Sequence, residues 1–99
     1  MHQVTPQQLK DWQKEKKDFV LIDIREGWER SEYNIGGTHI PMGDVMSRAN
    51  EIPKDKDVVI YCEKGIRSVI TIQRLEGAGF RNLFNLNGGM SAWKYEQHS

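Results

Sequence analysis

The sequence predicts an α/β fold, a small open parallel β-sheet with helices on both faces. Two observations carry that expectation. "FVLIDI" (Phe19 to Ile24) and "DVVIYC" (Asp57 to Cys62) are continuous apolar runs, the mark of strands buried on both sides. Segments with helical spacing follow and precede them, and a strand–helix alternation is connected by crossovers that keep the strands parallel.

Taken in order, "TPQQLKDWQKEKKD" (residues 5–18) reads as a helix. Thr5 is its N-cap, Pro6 stands at the first helical position, and Gln8 completes a capping box. Leu9, Trp12 and Lys16 share a face. After the strand at Phe19 to Ile24, "REGWERSEY" is polar and predicts a short helix. "NIGGTHIPMGDVMSRANEIP" is a loop-rich connection with a short helix near Asp44 to Ala49. The second apolar strand ends at Cys62. From Ser68, "SVITIQRLEGAGF" takes helical spacing, with Ile72 and Leu75 on one face and Gly77 and Gly79 as the stop. "NLFNL" (Asn82 to Leu86) predicts a third strand, and "NGGMSAWKYE" a glycine turn into a final helix.

Composition bounds the function. The 99 residues suit one domain, 1–99, and the 14 Lys and Arg balance the 14 Asp and Glu, so no global field draws the chain to nucleic acid or anionic lipid. The opening "MHQVTPQQLKDW" has no apolar signal core, and no run approaches the ~18 apolar residues of a membrane helix. A single cysteine forms no internal disulfide and builds no thiolate metal site by itself. A cytoplasmic monomer is the expectation.

The chemistry concentrates at "YCEKGIRS" (Tyr61 to Ser68). In parallel sheets function gathers at the carboxyl ends of strands, and Cys62 lies at one. A strand that turns tightly into a helix aims backbone N–H groups at the turn. Gly65 accepts the positive-φ conformations that curl successive amides into an anion-binding nest, and the helix near Ser68 adds its positive end. That environment favours a thiolate nucleophile. Lys64 and Arg67 supply cations for an anionic substrate, and Glu63 is expected to face solvent. The competing reading of Cys62 is a buried small hydrophobe.

Four stretches together resemble the rhodanese family of sulfurtransferases: "LIDIRE" (Leu21 to Glu26), "GGTHIP" (Gly36 to Pro41), "YCEKGIRS", and "GFRNLFNLNGGMSAW" (Gly79 to Trp93). The second departs from the family's Gly-His-Ile-Pro by one extra residue between glycine and histidine. The resemblance implies a rhodanese-like fold and a ping-pong reaction. Cys62 takes a sulfane sulfur from thiosulfate or a persulfide and passes it, as a persulfide, to cyanide or a thiol. It implies neither metal nor organic cofactor. The loop reads Cys62-x4-Arg67, one residue shorter than the Cys-x5-Arg ring of the related phosphatases and arsenate reductases, and the resemblance assigns the shorter ring to sulfur transfer.

The resemblance further implies a loop, Glu63 to Ser68, that binds substrate, with Lys64 in the position of a thiosulfate-binding lysine. Arg67 either lines the site or turns away to pair with a carboxylate. Arg25 reaches the same sheet edge, where it is a candidate to bind substrate or, with Asp23, to brace the loop, the bracing role being the expected one. His39 is expected to tether a loop rather than act as a base, Trp12 and Trp93 to belong to the core, and Trp28 to wall the pocket or face a partner. A second reading of the whole chain is a sulfur-carrier or binding module that delivers sulfur to or from a protein partner, such as a sulfur-relay protein, with thiosulfate a poor donor. A phosphatase is a distant third.

Overall fold

The computed structural model describes residues 1–98. Its elements in chain order are β1 (His2–Val4), α1 (Pro6–Lys14), β2 (Phe19–Asp23), α2 (Gly27–Glu32), β3 (Thr38–His39), β4 (Asp57–Tyr61), α3 (Ile66–Gly77), β5 (Leu83–Leu86) and α4 (Gly89–His98). The five strands form one sheet in the order β1-β5-β4-β2-β3, and every pairing is parallel. β4, the most buried strand, is central, with Asp23 opposite Tyr61 on β2 and Ile60 opposite Asn85 on β5.

Strand alternation divides the core. Val58, Ile60 and Cys62 face one layer with Ile22, Ile24, Ile72 and Leu75, which is the α3 side. Val59 and Tyr61 face the other with Leu9, Met90 and Trp93, the side of α1 and α4. Helices therefore cover both faces, as the apolar runs require.

The structure amends several boundaries. α1 has the expected cap, with Gln8 N–H donating to Thr5 Oγ1 at 3.1 Å and Thr5 N–H to Gln8 Oε1 at 2.9 Å. It stops at Lys14 rather than Asp18, because Lys16 turns to φ 55° and leads the chain into β2. Lys16 therefore does not extend the Leu9–Trp12 face. α3 starts at Ile66, not Ser68, with Gly65 as N-cap at φ 87°. The helix near Asp44 to Ala49 is instead two 3-10 turns, Met42–Asp44 and Ala49–Glu51. Two edge strands, β1 and β3, come in addition to the three expected. Both are very short; β1 pairs with β5 and places Val4 in the core, and β3 pairs with β2.

Candidate active site

β2 and β4 are neighbours whose chains leave in opposite directions, β2 toward the β3 edge and β4 toward β5. The crevice at their carboxyl ends is the place where open α/β sheets bind ligands. Cys62 stands there, with its residue 1% exposed. It forms the floor of a pocket of about 370 Å³ lined by Glu29, Cys62, Glu63, Lys64, Ile66 and Arg67.

Backbone geometry turns the loop into a cradle. The Gly65 N–H points at Cys62 Sγ from 3.1 Å and the Ser68 N–H from 3.3 Å, while Ser68 Oγ lies 3.3 Å from the same sulfur. Gly65 makes this possible: its left-handed φ brings the chain round within one residue, and an added Cβ would press on Gly88 N at 3.2 Å. The loop's carbonyls are fixed from behind. Met90 N–H donates to Cys62 O and Ser91 N–H to Glu63 O, each at 2.9 Å. Gly89 permits that approach, since a Cβ there would collide with the Cys62 carbonyl oxygen. The first turns of α3 and α4 thus meet on one loop, α3 at the sulfur and α4 at the backbone.

The charged residues are arranged less as cations around a substrate than as a scaffold. Arg67 makes a two-pronged pair with Glu29, both bonds 2.8 Å. That fork, more than anything else, holds the Glu29 carboxyl down to about 2, against the opposing effect of burial. Both alternatives for Arg67 are seen together: it pairs with a carboxylate and it lines the pocket. Arg25 is 1% exposed and grips Asp23 through Nε at 3.1 Å and Nη2 at 3.2 Å, the bracing pair expected. It also donates to Tyr33 O at 2.6 Å and Glu63 Oε1 at 3.3 Å. Tyr61 packs its ring against Arg25 and donates to Gly36 O at 3.0 Å, and burial pushes its phenol up to about 12.

Glu63 is a correction. It does not face solvent but turns along the loop toward Arg25, Ser91 Oγ at 3.3 Å and Lys94 at 3.7 Å, because Arg25 is short of an acceptor on that side. Lys64 is exposed and makes no hydrogen bond or ion pair with the described residues. Ile66, also exposed, forms the apolar rim. His39 Nε2 lies 2.7 Å from Arg25 O, a loop tether as expected. Trp93 is core, Trp12 packs against Phe19 and Phe84, and Trp28 is 66% exposed on a second hollow that shares Glu29 and Glu63.

Two participants escaped the sequence reading. Glu29 had a signal: it lies four residues after Arg25, one helical turn along from a residue already placed at the sheet edge. Asn85 had one too, as the lone polar side chain inside "LFNL". It is 3% exposed and accepts a hydrogen bond from Ser68 Oγ. Among the described residues no three His, Cys, Asp or Glu side chains gather to hold a metal, and no helix is long and apolar enough to cross a membrane.

Residues 5–96 match the model of the rhodanese-like domain. The chain belongs to the rhodanese-like family. It is 41% identical to "Sulfurtransferase" of Allochromatium vinosum over 78% of this chain and 73% of that one. It is 33% identical to "Thiosulfate sulfurtransferase GlpE" of Coxiella burnetii over 87% and 82%. The rhodanese-like domain protein of Staphylococcus aureus superposes with a TM-score of 0.86 at 31% identity, covering 94% of this chain and 91% of that one. The chain spans about a quarter of the length of another relative, "Probable adenylyltransferase/sulfurtransferase MoeZ" of Mycobacterium tuberculosis, at 33% identity. Several relatives of this chain are thus named for sulfur transfer.

Proposed function

We propose that this rhodanese-like chain, acting as one domain over residues 1–99, is a sulfurtransferase with Cys62 as its nucleophile. The observation that carries the reading is the sulfur itself, faced by two backbone N–H groups at the floor of a pocket. Such donors stabilise charge on sulfur before and after transfer, as an oxyanion hole does for oxygen.

The chemistry balances in two displacements. Thiolate Cys62 attacks the outer sulfur of thiosulfate; the new Sγ–S bond forms as the donor's S–S bond breaks, and sulfite leaves with the electron pair. Cyanide or a thiolate then attacks the terminal sulfur of the persulfide, and the Cys62 thiolate returns as leaving group. Each step exchanges one bond to sulfur for another, so no external oxidant or reductant enters. Lys64, exposed at the rim, attracts the thiosulfate dianion, and Ile66 covers the sulfane end.

The test is mass spectrometry after mixing with thiosulfate. Wild type gains the mass of one sulfur atom and loses it to cyanide. Cys62→Ser neither loads nor turns over, and turnover retained in that variant would refute the assignment. A second reading is delivery of sulfur to or from a protein partner. The exposed Trp28 and Ile66 beside the pocket favour it, as does a 35% identical relative named "Putative sulfur carrier protein YrkF" of Bacillus subtilis. It predicts slow turnover with thiosulfate and rapid loading from a persulfide.

A further inference from the structure

Asn85 is polar, buried and in the middle of an otherwise apolar strand, a placement that costs stability unless both ends of the amide are bonded. Both are. Its Oδ1 accepts from Ser68 Oγ, and its Nδ2 donates to Gln3 Oε1 at 3.0 Å across the β1–β5 pairing, where Gln3 and Asn85 stand opposite. Ser68 Oγ in turn lies 3.3 Å from Cys62 Sγ. Three side chains, Ser68, Asn85 and Gln3, therefore connect the Cys62 sulfur to an exposed edge strand.

The proton count gives this chain a direction. A serine hydroxyl has one proton, and an amide carbonyl only accepts. While Asn85 presents Oδ1, that proton belongs to Asn85, and Cys62 meets an oxygen lone pair. A thiol tolerates this, because it can donate. A thiolate or persulfide anion does not, and gains the hydroxyl only by stripping it from a buried carbonyl. With the amide turned over, Nδ2 would donate to Ser68 and the hydroxyl would be free for sulfur. Gln3 Oε1 holds the amide in the first orientation. Gln3 is itself exposed, and its other contact is a long 3.7 Å approach to Met1 Sδ.

We propose that Asn85 is a positioning residue that competes with the Cys62 sulfur for the Ser68 proton, its orientation set from the sheet edge by Gln3. The proposal rests on Cys62 as the reactive sulfur. The charged groups facing that sulfur are Glu29 from α2, Glu63 and Lys64 from the loop and Arg67 from α3, with Lys94 of α4 behind Glu63. None is altered by the variants below.

The experiment is alkylation of the chain's only cysteine by iodoacetamide across pH, beside sulfur loading from thiosulfate. Asn85→Ala removes the competitor, and alkylation on the acid side of the profile is expected to rise about tenfold, the effect of one hydrogen bond to charged sulfur. Gln3→Lys offers only donors to Asn85, turns its carbonyl outward and is expected to shift the profile the same way. Both effects should vanish in a Ser68→Ala background; the lysine's through-space charge would persist there. Gln3 is exposed, so Gln3→Lys decides the matter alone if Asn85→Ala fails to fold. Unmoved profiles, or equal shifts with and without Ser68, overturn the proposal. A wild type that loads sulfur from neither thiosulfate nor a persulfide while the alkylation response is intact would instead refute the sulfurtransferase reading and leave this one standing.

Discussion

Replacing Glu29 by Gln keeps its shape, removes its charge and releases the guanidinium of Arg67. Depression of the Glu29 carboxyl from its ordinary 4.5 to about 2 sets the scale. At ~1.4 kcal/mol per pH unit the ceiling is about 3.5 kcal/mol. Arg67 is 34% exposed and Glu29 11%, so solvent screening brings the expected loss to about 1–2 kcal/mol. The sign fixes where the loss is seen. A carboxyl whose folded value is depressed stabilises the fold above its ordinary range and ceases to as pH falls toward the folded value. Urea titrations should therefore show Glu29→Gln weaker than wild type at pH 7, with the gap shrinking by more than half by about pH 3. A variant as stable as wild type at pH 7, or a gap that persists unchanged in acid, would show that the fork does not hold α2 to α3.

The same substitution carries a kinetic consequence. The pocket wall loses a negative charge and gains a free guanidinium, so a dianionic donor binds more tightly. An interaction on the order of 1 kcal/mol corresponds to about a fivefold lower KM for thiosulfate, with kcat little changed. A KM that rises would mean that Arg67 serves the site only while Glu29 positions it.

Gly89→Ala drives a Cβ into the Cys62 carbonyl oxygen at a residue with φ 60°; a loss of about 2–3 kcal/mol is expected in chemical denaturation, together with slower sulfur loading. Lys64→Ala should leave stability within about 0.5 kcal/mol and raise the KM for thiosulfate severalfold, since the side chain is exposed and engages no described residue; an unchanged KM would remove it from substrate binding. Arg25→Met removes the buried cation beside Asp23, leaving that carboxylate Arg30 Nη1 at 3.2 Å and the N–H of residue 25, and a loss of about 3 kcal/mol is expected by the same titration.

The sheet was legible because its two central strands are buried on both faces and read as unbroken apolar runs. β1 was not, because "HQV" buries one side chain and is held by parallel backbone bonds to β5, a property of the partner rather than of the segment. The early start of α3 was hidden for a related reason. Gly65 looks like the middle of a turn, and only its positive φ makes it the cap that brings Ile66 and Arg67 into the first helical turn. That shift of two residues brings Arg67 onto Glu29 while keeping it in the pocket wall.

Charge direction was the least legible feature, and the reason lies in the brace beneath the loop. "DIRE" and "CEKGIR" show three cations and several carboxylates without showing which will pair. Burial decides it. Arg25, sealed under the loop, must satisfy its donors with Asp23, Tyr33 O and Glu63, and so draws Glu63 inward. Glu29, left half-buried above it, takes Arg67. Once these pairs form, the donors in contact with the sulfur are the Gly65 and Ser68 amides, the Arg67 guanidinium acts on it from the pocket wall, and Lys64 stands exposed at the rim. The backbone of α4 completes the arrangement, because a loop whose carbonyls are bonded at Cys62 and Glu63 cannot relax its amides away from the thiol. Under the proposed function, rigidity of this kind would let the same donors hold thiolate and persulfide in turn.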